Sequence, residues 1–186
     1  MASYPTQLRC GDFDLWKPNP TFEVAEKLYS LVNKNRQFFR PWLGWVDFVK
    51  SPEDEWAVVQ SLAQNDACKY LIRSSADIIG MVGVVRDDKI NQTMEIGYWL
   101  DRDATGMGIM TRAVKQVQDL CFGLGKANRV EIRCAVGNMP SRAIPKRLDY
   151  EQEALLRQAE VLRPGVVHDI LLYSKLKSDW AKWKQK

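Results

Sequence analysis

Histidine is nearly missing from this sequence, with one residue, His168, in 186. The four cysteines, Cys10, Cys68, Cys121 and Cys134, are scattered and include no CxxC pair. This argues against a structural zinc site, and no metal is expected. Long apolar runs are also missing, and the opening stretch MASYPTQLRCGDF has no hydrophobic signal region. The expectation is a cytoplasmic chain with reduced thiols that does not enter a membrane. Charge of one sign is not in large excess: 27 basic residues stand against 23 acidic ones, a net of +4. That balance suits an anionic small ligand and falls short of a nucleic-acid-binding signature. No repeat, low-complexity tract or linker interrupts the chain. With 46% hydrophobic residues, residues 1–186 can bury one substantial core and are expected to form a single domain.

The periodicity changes several times along this domain. LRCGDFDLWKP alternates weakly, as a strand or hairpin that ends at Pro18. Phe22, Ala25, Leu28, Tyr29 and Val32 fall at helical spacing, and a loop with two tryptophans, Trp42 and Trp45, follows. Ser51, Pro52 and Asp54 open a second helix as cap, first helical residue and capping-box partner. KYLIRSS, DIIGMVGVVRD and TMEIGYWLD then read as successive strands. IMTRAVKQVQDLCFGLG is a helix stopped by Gly123 or Gly125. RVEIRCAV is a strand, NMPSRAIPKRL a short helix and VVHDILLYSKL a closing strand. The order implies an α+β domain on a mixed, mostly antiparallel sheet.

DATGMGIMTRAV places two glycines, Gly106 and Gly108, directly before the long helix. A Rossmann fingerprint needs a third glycine where Thr111 stands, and no Gly-Lys-Ser/Thr follows for a P-loop. What remains is a glycine turn at a helix N-terminus, which is either a plain strand-to-helix turn or an anion site suited to phosphate.

EIGYWLDRDATGMGIMTRAV, RVEIRCAVGNMPSRAIPKRLDY and AEVL with HDILLYSKL together resemble the GCN5-related N-acetyltransferases, and within them the RimJ/RimL branch. The similarity extends over nearly the whole chain. Two positions depart from the family pattern: Asp103 replaces the frequent Gln or Arg at the start of the turn, and Asp149-Tyr150 replaces the usual Gly-Phe. The resemblance implies a sheet with helices on both faces and a splayed strand pair that admits acetyl-CoA. Backbone at Tyr98 and Leu100 would bind the pantetheine arm. The N–H groups of Thr105, Gly106, Met107, Gly108, Ile109 and Met110 would hold the pyrophosphate, with Asn138 on the arm.

Acetyl transfer needs a neutral amine, a stabilised oxyanion and a leaving thiolate. A backbone N–H near Leu100 is expected to serve the oxyanion, and the resemblance sets the Ser141 hydroxyl beside the sulfur. It also gives two carboxylates for the general base: Glu160, at the base position of the branch, is preferred over Glu95, at that of the histone-modifying members, which otherwise serves as a water-linked or substrate-orienting second carboxylate. His168 is expected to be structural. An α-amine suits a modest base, because its pKa of about 7.7–8.0 leaves roughly a tenth neutral at pH 7. The branch implies a protein N-terminus as acceptor, Ser or Ala on a ribosomal protein. The alternative is a small amine such as an aminoacyl nucleotide or a polyamine. Trp42 and Trp45 are expected to line the acceptor side, within a homodimer, with no nucleic-acid or membrane partner.

Overall fold

The computed structural model describes residues 3–64, 66–163 and 165–183. One eight-stranded sheet organises the chain in the order β1-β2-β3-β4-β5-β6-β8-β7. The strands β1 (Gln7–Arg9) and β2 (Asp14–Trp16) form the expected hairpin, and β2 pairs with β3 (Lys69–Ser74). Next come β4 (Asp77–Asp88) and β5 (Thr93–Leu100), antiparallel to each other. β5 meets β6 (Arg129–Ala135) in parallel. β8 (Val166–Leu176) and the edge strand β7 (Glu151–Arg163) complete the sheet as an antiparallel hairpin.

Helices cover both faces. On one lie α1 (Phe22–Lys34), α2 (Arg36–Phe39) and α3 (Pro52–Leu62), whose core includes Leu28, Val59, Leu71 and Trp99. On the other lie α4 (Ile109–Gly123) and α5 (Met139–Arg147), over Ile96, Val130, Ile132 and Cys134. Side chains alternate along a strand, so each β5 and β6 residue belongs to one of these two layers. The capping box of α3 forms as expected, with the Asp54 carboxylate accepting from the backbone N–H groups of Ser51 (3.0 Å) and Lys50 (2.8 Å).

Three elements differ from the sequence reading. The first helix breaks at Asn35, whose buried side-chain amide donates to the Leu31 carbonyl (3.0 Å) and competes with the helix ladder. β7 is a 13-residue strand that periodicity does not give, because its register shifts interrupt any clean alternation. A final helix, α6 (Lys177–Trp183), follows β8, where the sequence reading ended. No helix among the described residues is long and apolar enough to cross a membrane.

Close approach of backbones fixes the sheet around the site. A Cβ on Gly83 would stand 2.6 Å from Lys69 Cα and 2.7 Å from the Cys68 carbonyl oxygen. Since these are backbone atoms, the methyl of Gly83→Ala can be accommodated only by moving β3. We expect about 1–3 kcal/mol of destabilisation. Chemical denaturation checks this, and an unchanged midpoint and slope would show that β3 yields freely.

Candidate active site

β5 and β6 pair only at Thr93–Arg129, Met94–Val130 and Glu95–Glu131. Beyond Glu95, β5 stays with β4 as far as Leu100–Gly80, while β6 stays with β8 as far as Ala135–Ile170. The sheet is therefore split along one line. A β-bulge in β4 between Val84 and Arg86 lies opposite Glu95 and Ile96, at the level where the parting begins. A bulge sharpens local twist and bends its strand, which turns the β4–β5 pair away from β6.

A cavity of about 830 Å³ lies at this split, between the ends of β5, α4 and α5. Gly106 (φ +81°) and Gly108 (φ +71°) shape its mouth, both in the left-handed region that side-chain-bearing residues avoid. A Cβ at either glycine would meet nothing within 4 Å, so the space before the turn is open. Gly108 caps α4, whose first N–H groups and dipole face that space. Such a turn fits a phosphate group and the split fits an extended amide chain, which together match coenzyme A. Of the residues expected to hold it, Tyr98, Leu100, Thr105, Gly106 and Gly108 line the cavity, as do Ile109, Met110, Asn138 and Ser141. The Met107 side chain is 57% exposed and is not among the lining residues.

Asp103, the departure at the start of the turn, is held by Lys34 at 2.8 Å, and Lys34 also reaches Asp101 at 2.9 Å. These carboxylates raise the Lys34 ammonium above its ordinary range. Burial alone would raise the Asp101 carboxyl, yet bonds from Lys34 and Asn35 outweigh it and hold it below its ordinary value. The Arg102 N–H donates to the Asn35 side chain (3.0 Å), so the end of α1 is tied to the turn.

On the α5 side, three polar side chains converge at the split. Asn138 caps α5 by accepting from the Ser141 N–H (3.3 Å), which fixes where the serine stands. Ser141 Oγ donates to the Tyr98 hydroxyl (3.2 Å), which donates in turn to the Ser141 carbonyl (3.0 Å). Cys134 Sγ lies 3.2 Å from Ser141 Oγ. Burial pushes the Tyr98 hydroxyl well above its ordinary value and the Cys134 thiol up, so both stay protonated near neutrality. The sequence reading used Tyr98 only for its backbone and left Cys134 aside; strand alternation in EIGYWL and EIRCAV signals that both point toward α5.

Glu95 and Glu160 occupy the opposite face. Strand pairing puts Glu95, Glu131, Arg133, His168 and Glu160 on the same side of the sheet, with Trp99. Arg133 Nε lies 3.2 Å from Glu160 Oε1, and Arg86 lies 3.5 Å from Glu95. Burial raises the Glu95 carboxyl, opposed by the Arg86 and Arg133 charges. Neither glutamate is among the residues lining the cavity.

The two tryptophans separate. Trp42 lines the cavity with Phe38, Phe39, Leu43 and Trp99, and its ring stands 6.2 Å from that of His168. Trp45 packs instead on Trp99 (6.1 Å) and is 36% exposed. Their loop is pinned from beneath, since the Arg36 guanidinium donates to the carbonyls of Val46 and Val49. Arg112 and Arg147 also line the cavity. Arg112 is committed to Asp12 and the Cys10 carbonyl.

Residues 19–151 match the model of the acetyltransferase (GNAT) domain. The ribosomal-protein-serine acetyltransferase of Escherichia coli (strain K12) is 33% identical over 156 residues, 82% of this chain and 87% of that protein. Among solved structures, the microcin C7 self-immunity acetyltransferase MccE, in complex with acetyl-CoA and AMP, superposes with a TM-score of 0.82 at 32% identity. That match covers 94% of this chain and 98% of the MccE chain. RimL, a ribosomal L7/L12 α-N-protein acetyltransferase in complex with coenzyme A, gives 0.83 at 27% identity, covering 91% and 97%. Coenzyme A is thus the ligand that tests the glycine turn. Gly108→Val forces a β-branched residue to φ +71° and sets methyl groups where phosphate would approach. We expect at least about a tenfold loss of acetyl-CoA affinity with native circular dichroism. Unchanged affinity by calorimetry in a folded variant would remove the cradle. In its sequence and its split sheet alike, the chain belongs to the GNAT family of acetyl-CoA-dependent N-acetyltransferases.

Proposed function

We propose that this N-acetyltransferase modifies the α-amine of a protein N-terminus, a Ser or Ala of a ribosomal protein, by direct attack in a ternary complex. The observation that carries this reading is the two-faced split, with a hydroxyl network toward α5 and two arginine-paired carboxylates, Glu95 and Glu160, on the other side of the sheet. The names of the relatives support the acceptor. Bound acetyl-CoA supplies the activated thioester. As the amine nitrogen bonds to the acetyl carbon and the C–S bond breaks, Glu160 takes the amine proton and the Ser141 hydroxyl meets the leaving sulfur. Glu160 is ion-paired with Arg133 and its side chain keeps 36% exposure, so a proton it takes has a path to solvent. Glu95, 14% exposed, orients the acceptor or the intervening water. A backbone N–H near Leu100 receives the oxyanion, and Arg147, in the last turn of α5, offers a cation to the cofactor's phosphates.

A second reading, an aminoacyl nucleotide as acceptor, is favoured by the cavity wall of Phe38 and Trp42, on which a flat base could stack. MccE, with its AMP, is consistent with it. Exposed Leu155, Val161 and Val167 on the β7–β8 hairpin support a homodimer across that edge. A monomer by sedimentation, at concentrations where the enzyme is active, would overturn the dimer.

Steady-state kinetics with short Ser- and Ala-initiated peptides, their lysines blocked, tests the acceptor. Glu160→Gln should lower turnover by roughly 10²–10⁴-fold with little effect on acetyl-CoA affinity. If Glu95→Gln does so instead, the two carboxylates exchange roles. Ser141→Ala should cost more in turnover than in cofactor affinity, because its hydroxyl serves charge that develops during the reaction. Equal losses would make it a binding contact. Trp42→Ala should raise the acceptor's KM and spare cofactor affinity. A fall in melting temperature with normal KM would mean that this ring only packs.

A further inference from the structure

α5 carries a proline, Pro145, in its interior. Proline has no N–H, so the carbonyl four residues before it, that of Ser141, lacks its helical donor. A backbone carbonyl left in this way takes another partner. Tyr98 provides one: its phenol reaches across the split from β5 and donates to the Ser141 carbonyl at 3.0 Å. The same phenol oxygen accepts from the Ser141 hydroxyl at 3.2 Å, so one side chain grips this residue at two points. A third point is the Ser141 N–H, which donates to Asn138 at 3.3 Å. The β5–β6 ladder ends at Glu95–Glu131, below this level. The Tyr98–Ser141 pair is therefore a side-chain tie between the two walls of the opening. Both residues line the cavity, whereas Pro145 is buried and does not.

Resting on the leaving-group role given to Ser141 above, we propose that Tyr98 is a positioning residue for acetyl transfer: its phenol, docked on the carbonyl that Pro145 leaves open, aims the Ser141 hydroxyl at the cofactor sulfur. The phenol has one proton, and the carbonyl takes it, so toward Ser141 Oγ it offers lone pairs. The serine proton is then the one that can turn, from the phenol oxygen to the sulfur as negative charge develops there. Cys134 Sγ, 3.2 Å from Ser141 Oγ, can donate to that oxygen from another side as its proton turns away. Burial keeps the phenol protonated near neutrality, so Tyr98 orients the donor and gives up no proton of its own. An unheld serine would spread over three staggered rotamers, and the grip of Tyr98 selects one. Such a contact acts on rate through placement, with little effect on how tightly the cofactor binds.

A double-mutant cycle tests this, read as the single-turnover rate of acetyl transfer to a Ser-initiated peptide, with acetyl-CoA affinity measured by calorimetry. Tyr98→Phe keeps the ring and removes the phenol oxygen. It should slow transfer about tenfold and leave acetyl-CoA affinity within about twofold of wild type. In a Ser141→Ala background the same change should cost less than about twofold, because the hydroxyl it positions is gone. Pro145→Ala, added to Tyr98→Phe, returns a backbone N–H to the Ser141 carbonyl and should recover part of the lost rate. Equal losses with and without the serine hydroxyl overturn the positioning role, as does a wild-type rate in folded Tyr98→Phe. No recovery with Pro145→Ala overturns the part assigned to the proline. If Ser141→Ala alone transfers at the wild-type rate, the leaving-group role of Ser141 falls and this inference with it, while acetyl transfer stands. Failure to acetylate any amine overturns the enzymatic reading and this one together.

Discussion

The parting of β5 from β6 is the constraint on which the rest of this structure depends. Strand backbone demands hydrogen-bond partners, and a sheet normally supplies them from the neighbouring strand. Here the parallel pairing ends after Glu95, and each strand continues with its outer neighbour instead. The exposed edge of β5 can then accept a ligand's amides as an added strand. The split also connects two chemical environments that an intact sheet would separate. Tyr98 and Cys134 face α5, while Glu95, Trp99 and Arg133 face the other way, because alternate residues of one strand point to opposite faces.

Electrostatic detail serves the same opening. An acidic residue at the start of an anion-binding turn is unfavourable if its charge is free. Lys34 removes that difficulty by holding both Asp101 and Asp103, and Asn35 binds the same segment through the Arg102 N–H. The break between α1 and α2 and the placement of the turn are therefore one arrangement. On the opposite face, Arg133 and Arg86 partner the two glutamates, so that neither carboxylate stands uncompensated against the other.

Much of the fold was legible in sequence because its signals are local. The capping residues Ser51 and Asp54, the alternation through KYLIRSS and TMEIGYWLD, and Gly106 and Gly108 before the long helix each report on a few neighbouring residues. The structure agrees with them. β7 escaped in part because its irregular register and mostly exposed surface mix apolar and polar residues without a period. The α1 break escaped because Asn35 acts through a bond that only a folded helix offers.

Sequence alone determined most of the elements, the glycine turn and the type of residue at each candidate position, since propensity, capping and φ preference are properties of short segments. The tertiary structure decided which of these residues meet. Trp42 and Trp45 are equivalent in sequence, yet only Trp42 lines the cavity, because the pinned loop turns Trp45 onto Trp99. Ser141 gains Tyr98 as a partner 43 residues away, and Glu160 gains Arg133 across the β6–β8–β7 order. Such pairings depend on strand order and on which face each side chain takes. Both are fixed by how the whole sheet buries its two cores, and no short window of sequence contains them.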